Sequence, residues 1–117
     1  MNEFQKEMLL NLKEFIRVCE KHNLRYFLVT GSALGAVRHQ GFIPWDDDID
    51  VAMPRPDAMK LLALKDEFKA PYFLQHYKTD KGYAYPFMKL RNSNTTYIDN
   101  NFVYHNINHG IWIDIFI

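Results

Sequence analysis

The 117-residue chain carries one cysteine, Cys19, which excludes an internal disulfide and any cysteine-rich zinc site. Cys19 falls on the apolar side of a helical pattern and is expected to be a buried, inert thiol. Neither sign of charge is in excess, since 14 Lys and Arg balance 14 Asp and Glu, so no global field points to nucleic acid or to an anionic membrane. The apolar runs are too short to span a bilayer, and the opening MNEFQKEMLL holds two Glu and no signal-like cleavage pattern. A soluble, cytoplasmic chain is expected. Both the Gly-x-x-x-x-Gly-Lys-Ser/Thr of a P-loop and the Gly-x-Gly-x-x-Gly of a dinucleotide fold are missing. There is also no internal repeat and no low-complexity linker. The length fits one domain, residues 1–117, and the 48% hydrophobic content excludes disorder.

Phe4, Met8, Leu12, Phe15 and Cys19 recur at three- and four-residue spacing, which predicts an amphipathic helix over residues 2 to about 22, stopped near Asn23. RYFLVT, residues 25–30, is β-branched and aromatic and predicts a strand ended by Gly31. The following SALGAVRH predicts a short helix capped by Ser32. DIDVAM, residues 48–53, alternates acid with apolar and predicts a second strand. Pro54 and Pro56 then suit entry to a helix reaching about Phe68, with Met59, Leu62 and Phe68 facing the core. Further on, PYFLQHY predicts a strand, TDKG a turn, YAYPFMKLR an extended piece broken by Pro86, NSN a turn and TTYID a short β-rich piece. Residues 99–110 are expected to be loop. IWIDIFI alternates strictly, with Ile111, Ile113, Ile115 and Ile117 on one face and Trp112, Asp114 and Phe116 on the other. The expected class is α/β, specifically α+β, a mixed sheet with flanking helices.

The chemistry concentrates in GFIPWDDDIDVAMP, where Asp46, Asp47, Asp48 and Asp50 stand within five positions. Residues two apart in a strand point the same way, so Asp48 and Asp50 project together while Ile49 and Val51 face the core. Such a pair of carboxylates repels by a few kcal/mol at an effective dielectric near 20. A divalent cation relieves that repulsion, and hard oxygen ligands suit Mg²⁺ or Mn²⁺. A calcium loop is excluded: Asp46, Asp48 and Asp50 match its first ligand positions, but Val51 stands where Gly is needed and Asp57 where Glu is needed. Asp114, enclosed by Ile113 and Ile115, is costly to bury without a partner. It is either salt-bridged to a Lys or Arg, or it lies beside the Asp48 strand as a third metal ligand, an arrangement suited to phosphoryl transfer. Gly31 and Ser32, between a strand and a helix, could aim backbone N–H groups at an anion. Arg38, Lys89 and Arg91 are candidate cations for a pyrophosphate, with a surface role as the alternative for each.

The order of Gly-Ser after a strand, Asp-x-Asp on the next and a lone strand Asp later resembles the nucleotidyltransferase superfamily. More specifically, YFLVTGSALGAVRHQGFIPWDDDIDVAMPRPD resembles the signature of the LicD-like family, the bacterial phosphocholine transferases related to fukutin and the fukutin-related protein. YPFMKLRNSNTTYID and GIWIDIF resemble its later blocks in order. The resemblance implies transfer of a phospho-alcohol, such as phosphocholine or ribitol phosphate, from a CDP-linked donor to a hydroxyl of a glycan or teichoic acid. It implies Asp48, Asp50 and Asp114 as catalytic acids holding Mg²⁺, with Asp114 also a candidate base. It also implies Gly31, Ser32, Lys89 and Arg91 toward the donor, while Trp45 could stack on a base or on choline. Members of the family run beyond IDIF, so a core shortened at its C-terminal end is expected. Two other readings stay open: a non-catalytic or partner-dependent remnant that binds metal or nucleotide, and an Asp-x-Asp glycosyltransferase. The second gives Gly31-Ser32 no role.

Overall fold

A computed structural model describes residues 3–29, 49–96 and 107–117. Helix α1 (Glu3–Lys21) forms where the apolar stripe predicts it, with Met8, Leu12, Phe15, Val18 and Cys19 almost fully buried. Glu3 in its first turn and Lys21 in its last complement the helix dipole. Asn23 ends it in the left-handed region at φ 55°, while the Leu24 N–H reaches back to the Cys19 carbonyl at 2.9 Å. Burial pushes the Cys19 thiol up to about 12, so it stays protonated and unreactive, as expected.

Five strands form one mixed sheet: β1 (Phe27–Leu28), β2 (Asp50–Ala52), β3 (Tyr72–Gln75), β4 (Met88–Asn92) and β5 (Ile111–Phe116), in the spatial order β1-β2-β5-β4-β3. The pair β2/β5 is parallel and the other three pairs are antiparallel. The alternation of IWIDIF decides how the sheet lies. Ile111, Ile113 and Ile115 are buried with Val51, Met88, Leu90 and Leu74 against α1, and Trp112, Asp114 and Phe116 turn to the opposite face. Asn11 fastens α1 to the sheet, its Nδ2 donating to the Leu90 carbonyl at 3.0 Å and to the Ile111 carbonyl at 2.8 Å. Gly110 is required at the start of β5, because a Cβ there would stand 2.1 Å from the Asn92 carbonyl oxygen.

Some elements are shorter than the sequence predicts. The helix expected to reach Phe68 is α2 (Arg55–Ala63), followed by a 3₁₀ turn (Lys65–Glu67). Ala58 and Leu61 form its buried side, so Met59, one residue round from Ala58, is exposed rather than in the core, whereas Phe68 is buried as expected. Strand β1 does not extend back to Arg25, whose backbone N–H donates to the Asp57 carboxylate at 2.7 Å instead of joining the ladder. Thr95 and Thr96 are not in a strand, and the rest of TTYID lies outside the described residues. The Thr95 hydroxyl instead donates to the Asn92 carbonyl and accepts from the Ile111 N–H.

The contact between Arg25 and Asp57 ties the approach to β1 onto α2. The Arg25 guanidinium reaches Asp57 Oδ1 at 2.7 Å, and hydrogen bonding from Arg25 lowers the Asp57 carboxyl from 3.8 to about 2. A depressed carboxylate pKa contributes stability in full above the unfolded value, and the contribution is lost as pH falls toward the folded one. Asp57→Asn is therefore expected to lower stability at neutral pH and to flatten the acid limb of the stability curve between about pH 4 and pH 2. Urea midpoints measured across that range check this, and an acid limb unchanged by the substitution would refute it.

Candidate active site

The face of the sheet turned away from α1 carries a polar row. In the strand register Asp50 of β2 stands opposite Asp114 of β5, Asp114 opposite Lys89 of β4, and Lys89 opposite Gln75 of β3. Cα atoms on neighbouring strands are about 4.8 Å apart, so the two carboxylates come from adjacent backbone positions. Two negative charges at such spacing repel by a few kcal/mol at an effective dielectric near 20, and the site must supply a cation. Lys89 supplies one: its Nζ lies 2.5 Å from Asp114 Oδ1, with the side chains only 5% and 15% exposed.

Aromatic rings surround that ion pair. Lys89 Nζ lies 4.5 Å from the Trp112 ring centroid, 5.2 Å from Phe87 and 5.6 Å from Tyr85. The negative faces of such rings attract a cation that has given up water. Tyr85 and Phe87 stack at 4.9 Å, and Phe87 meets Phe116 at 4.8 Å. Tyr83 fixes this segment by donating its hydroxyl to the Phe87 carbonyl at 2.7 Å. Burial, with the charge of Asp114 adding to it, raises the Tyr83 phenol, which stays protonated and able to donate.

Arg91 lies over the same Trp112 ring, its Cζ 4.6 Å from the centroid. It is buried, and its Nε donates to Gln75 Oε1 at 2.6 Å and its Nη1 to the Gly110 carbonyl at 2.7 Å. Gln75 in turn donates to Asp80 and to the Asn108 carbonyl. Arg91 is thus held by the protein from two sides. Lys89 hangs from a flexible four-carbon stem.

Of the residues singled out in the sequence, the structure brings together Asp50, Asp114 and Lys89, with Arg91 behind Trp112. Gly31, Ser32, Arg38, Trp45, Asp46, Asp47 and Asp48 lie outside the described residues. Among the described residues no group of three or more acids, histidines or cysteines clusters to hold a metal, and the acid pair is Asp50 with Asp114. The aromatic surround was not picked out in the sequence. Its signal was there, since Trp112 shares the Asp114 face of IWIDIF, and Phe87 shares the Lys89 face of FMKLR, by the same period of two.

The sequence profile of the family described as LicD/FKTN/FKRP, nucleotidyltransferase domain, matches residues 23–116. The chain belongs to this LicD family. Among curated relatives, the lipopolysaccharide cholinephosphotransferase LicD of Haemophilus influenzae is 42% identical over 59 residues, covering 50% of this chain and 22% of that protein. The ribitol 5-phosphate transferase FKRP of human and of mouse is 47% identical over 38 residues, 32% of this chain and 8% of that protein. The chain therefore spans less than a quarter of the length of these LicD relatives. The family match contains every strand of the sheet and both acids of the pair. Among the described residues no helix is long and apolar enough to cross a membrane.

Proposed function

We propose that this chain carries the donor-activating core of a metal-dependent transferase that moves a phospho-alcohol, such as phosphocholine, from a CDP-linked donor to a hydroxyl. The acceptor class is a cell-surface glycan or teichoic acid. The observation that carries the reading is the register of Asp50 against Asp114, two carboxylates on adjacent parallel strands of a LicD-family sheet. Their hard oxygens, and the repulsion between them, fit Mg²⁺ or Mn²⁺, and Asp48 would add a third ligand from the Asp50 face. When bound, the cation neutralises charge on the donor's phosphates.

The remaining roles belong to the chain's own groups. Gly31 and Ser32 would meet donor phosphate through backbone N–H and hydroxyl, with Arg38 and Lys89 as its cations. Arg91 would act from behind Trp112, keeping that ring and its strand in place. The acceptor oxygen forms a new bond to the phosphorus that carries the alcohol. The anhydride P–O bond breaks, CMP leaves with the electron pair, and the hydroxyl proton passes to a carboxylate, for which Asp114 is the candidate. A cytoplasmic reaction is part of this proposal.

The test is calorimetric titration of Mg²⁺ or Mn²⁺ with CDP-choline, CDP-ribitol and a UDP-sugar, with CMP release followed by chromatography. Metal-dependent binding of a CDP ligand with CMP release is the expected result. Binding without turnover would favour a remnant that has kept only the nucleotide site. A preference for the UDP-sugar would replace this reading with a glycosyltransferase, and the absence of any metal dependence would end it.

A further inference from the structure

The outer edge of the sheet, at β3, borders a cavity in which the acid row has no part. In the ladder between β3 and β4 the Ser93 N–H donates to the Pro71 carbonyl at 2.9 Å. Bonded pairs alternate in an antiparallel ladder, so Phe73 and Gln75 also bond to β4, while Tyr72 and Leu74 turn their backbone groups outward. Two of those four groups are satisfied within the chain. The Tyr72 N–H donates to the Lys69 carbonyl at 2.9 Å, and the Leu74 carbonyl accepts from the Thr79 hydroxyl at 2.7 Å. The Tyr72 carbonyl and the Leu74 N–H meet no partner among the described residues. Leu74 is only 2% exposed, and a buried N–H without an acceptor is rare and costly. The cavity beside it, about 460 Å³, is lined by Phe68, Phe73 and Leu74, with the exposed Lys65 and Lys78 at its rim. That size and that lining suit an organic ligand with an apolar body. Asp66 also borders the cavity, but its side chain is almost fully exposed and lies 3.8 Å from Lys65 Nζ. A second cavity, about 470 Å³, adjoins the first along the same edge at Ala70, Pro71 and Tyr72.

We propose that this edge binds the C-terminal residue of an extended, apolar peptide. The Tyr72 carbonyl and the Leu74 N–H stand on the same side of the strand, one to each side of Phe73. One residue of an added parallel strand answers both groups, donating its N–H to the first and offering an oxygen to the second. The oxygen that meets Leu74 enters the cavity that Lys65 and Lys78 border. Two ammonium groups favour a carboxylate there over a neutral peptide carbonyl, so the bound chain ends at this point. Thr79 is no rival for the Leu74 N–H, because its hydroxyl already donates to the Leu74 carbonyl and accepts from the His76 N–H. The last side chain of the peptide is apolar, since Phe68, Phe73 and Leu74 are what it meets. The residues before it run back past Tyr72 toward the second cavity. β4 separates this edge from β5, and neither Asp50 nor Asp114 takes part, so the peptide site is independent of the metal-dependent reading.

The probe is the tripeptide acid acetyl-Ala-Leu-Phe, titrated into the ¹⁵N-labelled 117-residue chain and followed by NMR. The Leu74 amide proton should move downfield to saturation and exchange more slowly with solvent, as the N–H gains an acceptor. The same peptide with its C-terminus amidated should bind at least about tenfold more weakly, because the charge-assisted hydrogen bond is lost. The acid should likewise bind about tenfold more weakly to the Lys65→Gln/Lys78→Gln chain. Both lysines are exposed, so this double variant should fold as the wild type does, which circular dichroism checks. A depsipeptide with an ester oxygen in place of the last N–H should bind about fivefold more weakly, having nothing to donate to the Tyr72 carbonyl. Equal binding of acid and amide would overturn the proposal, and so would equal binding of the depsipeptide. Saturable shifts that leave the Leu74 amide unmoved, or no binding of the peptide acid at all, would overturn it too. A failed peptide titration leaves the Mg²⁺ and CDP-ligand titrations as they stand, so the two readings fall separately.

Discussion

Asp114→Asn is expected to lower CMP-releasing turnover by roughly 10²–10³-fold or more, the scale seen when one preorganised polar group is taken from a reacting centre. The same substitution should weaken the fold. Lys89 lies almost wholly inside, on the Asp114 carboxylate, and breaking a buried ion pair by removing one partner costs about 3–5 kcal/mol. Activity and stability can be separated. Adding Lys89→Met to Asp114→Asn removes the other member of the ion pair and should recover part of the urea midpoint while leaving turnover at the level of the single variant. If Asp114→Asn keeps more than about a tenth of the wild-type turnover, against the expected loss, Asp114 has no part in the chemistry.

Arg91→Met tests the other cation on the Trp112 ring. The substitution keeps an unbranched stem and removes the guanidinium, leaving Gln75 Oε1 and the Gly110 carbonyl without these donors. Unpaired buried acceptors cost about 1–3 kcal/mol each, so a total loss of about 2–6 kcal/mol is expected in chemical denaturation. In the fraction that folds, Mg²⁺ affinity should stay within about threefold of the wild type, since the Arg91 guanidinium is engaged by Gln75 and the Gly110 carbonyl. A stable Arg91→Met chain that loses CDP binding would instead make Arg91 a direct contact of the donor.

Several elements were legible because local pattern and burial agree. The stripe from Met8 to Cys19 could only be a helix lying on a core, and the isoleucines of IWIDIF could only be one face of a strand. Asp114 was conspicuous for the same reason, an acid set among residues that are buried. The sequence left two partners open for it, a cation or the Asp-x-Asp strand, and the structure supplies one on each side: Lys89 on β4 and Asp50 on β2. Choosing between them in advance would have required strand order, which depends on pairings between distant segments and leaves no local trace. The shortening of β1 has a similar origin. Arg25 belongs to a β-rich run, but a carboxylate from α2 competes for its N–H, and Asp57 gives no hint of that in its own neighbourhood. The family resemblance drawn from the longer motifs agrees with the profile match over residues 23–116.

The parallel pairing of β2 with β5 bears on when the molecule can act. Two adjacent antiparallel strands can be closed by a hairpin, but Asp50 and Asp114 are brought together only after the chain between them has supplied α2, β3 and β4. The Asp114 N–H then bonds to the Ile49 carbonyl and the Met53 N–H to the Phe116 carbonyl, at the centre of the sheet. Contacts of such long sequence separation form late, after the entropy of closing the loop has been met. A partly folded chain therefore holds Asp50 and Asp114 apart, and the paired carboxylates on which the proposed function rests exist only once β5 has docked beside β2. The central seam of the sheet acts as a completeness check, and the amides along it should be among the last in the protein to exchange their hydrogens.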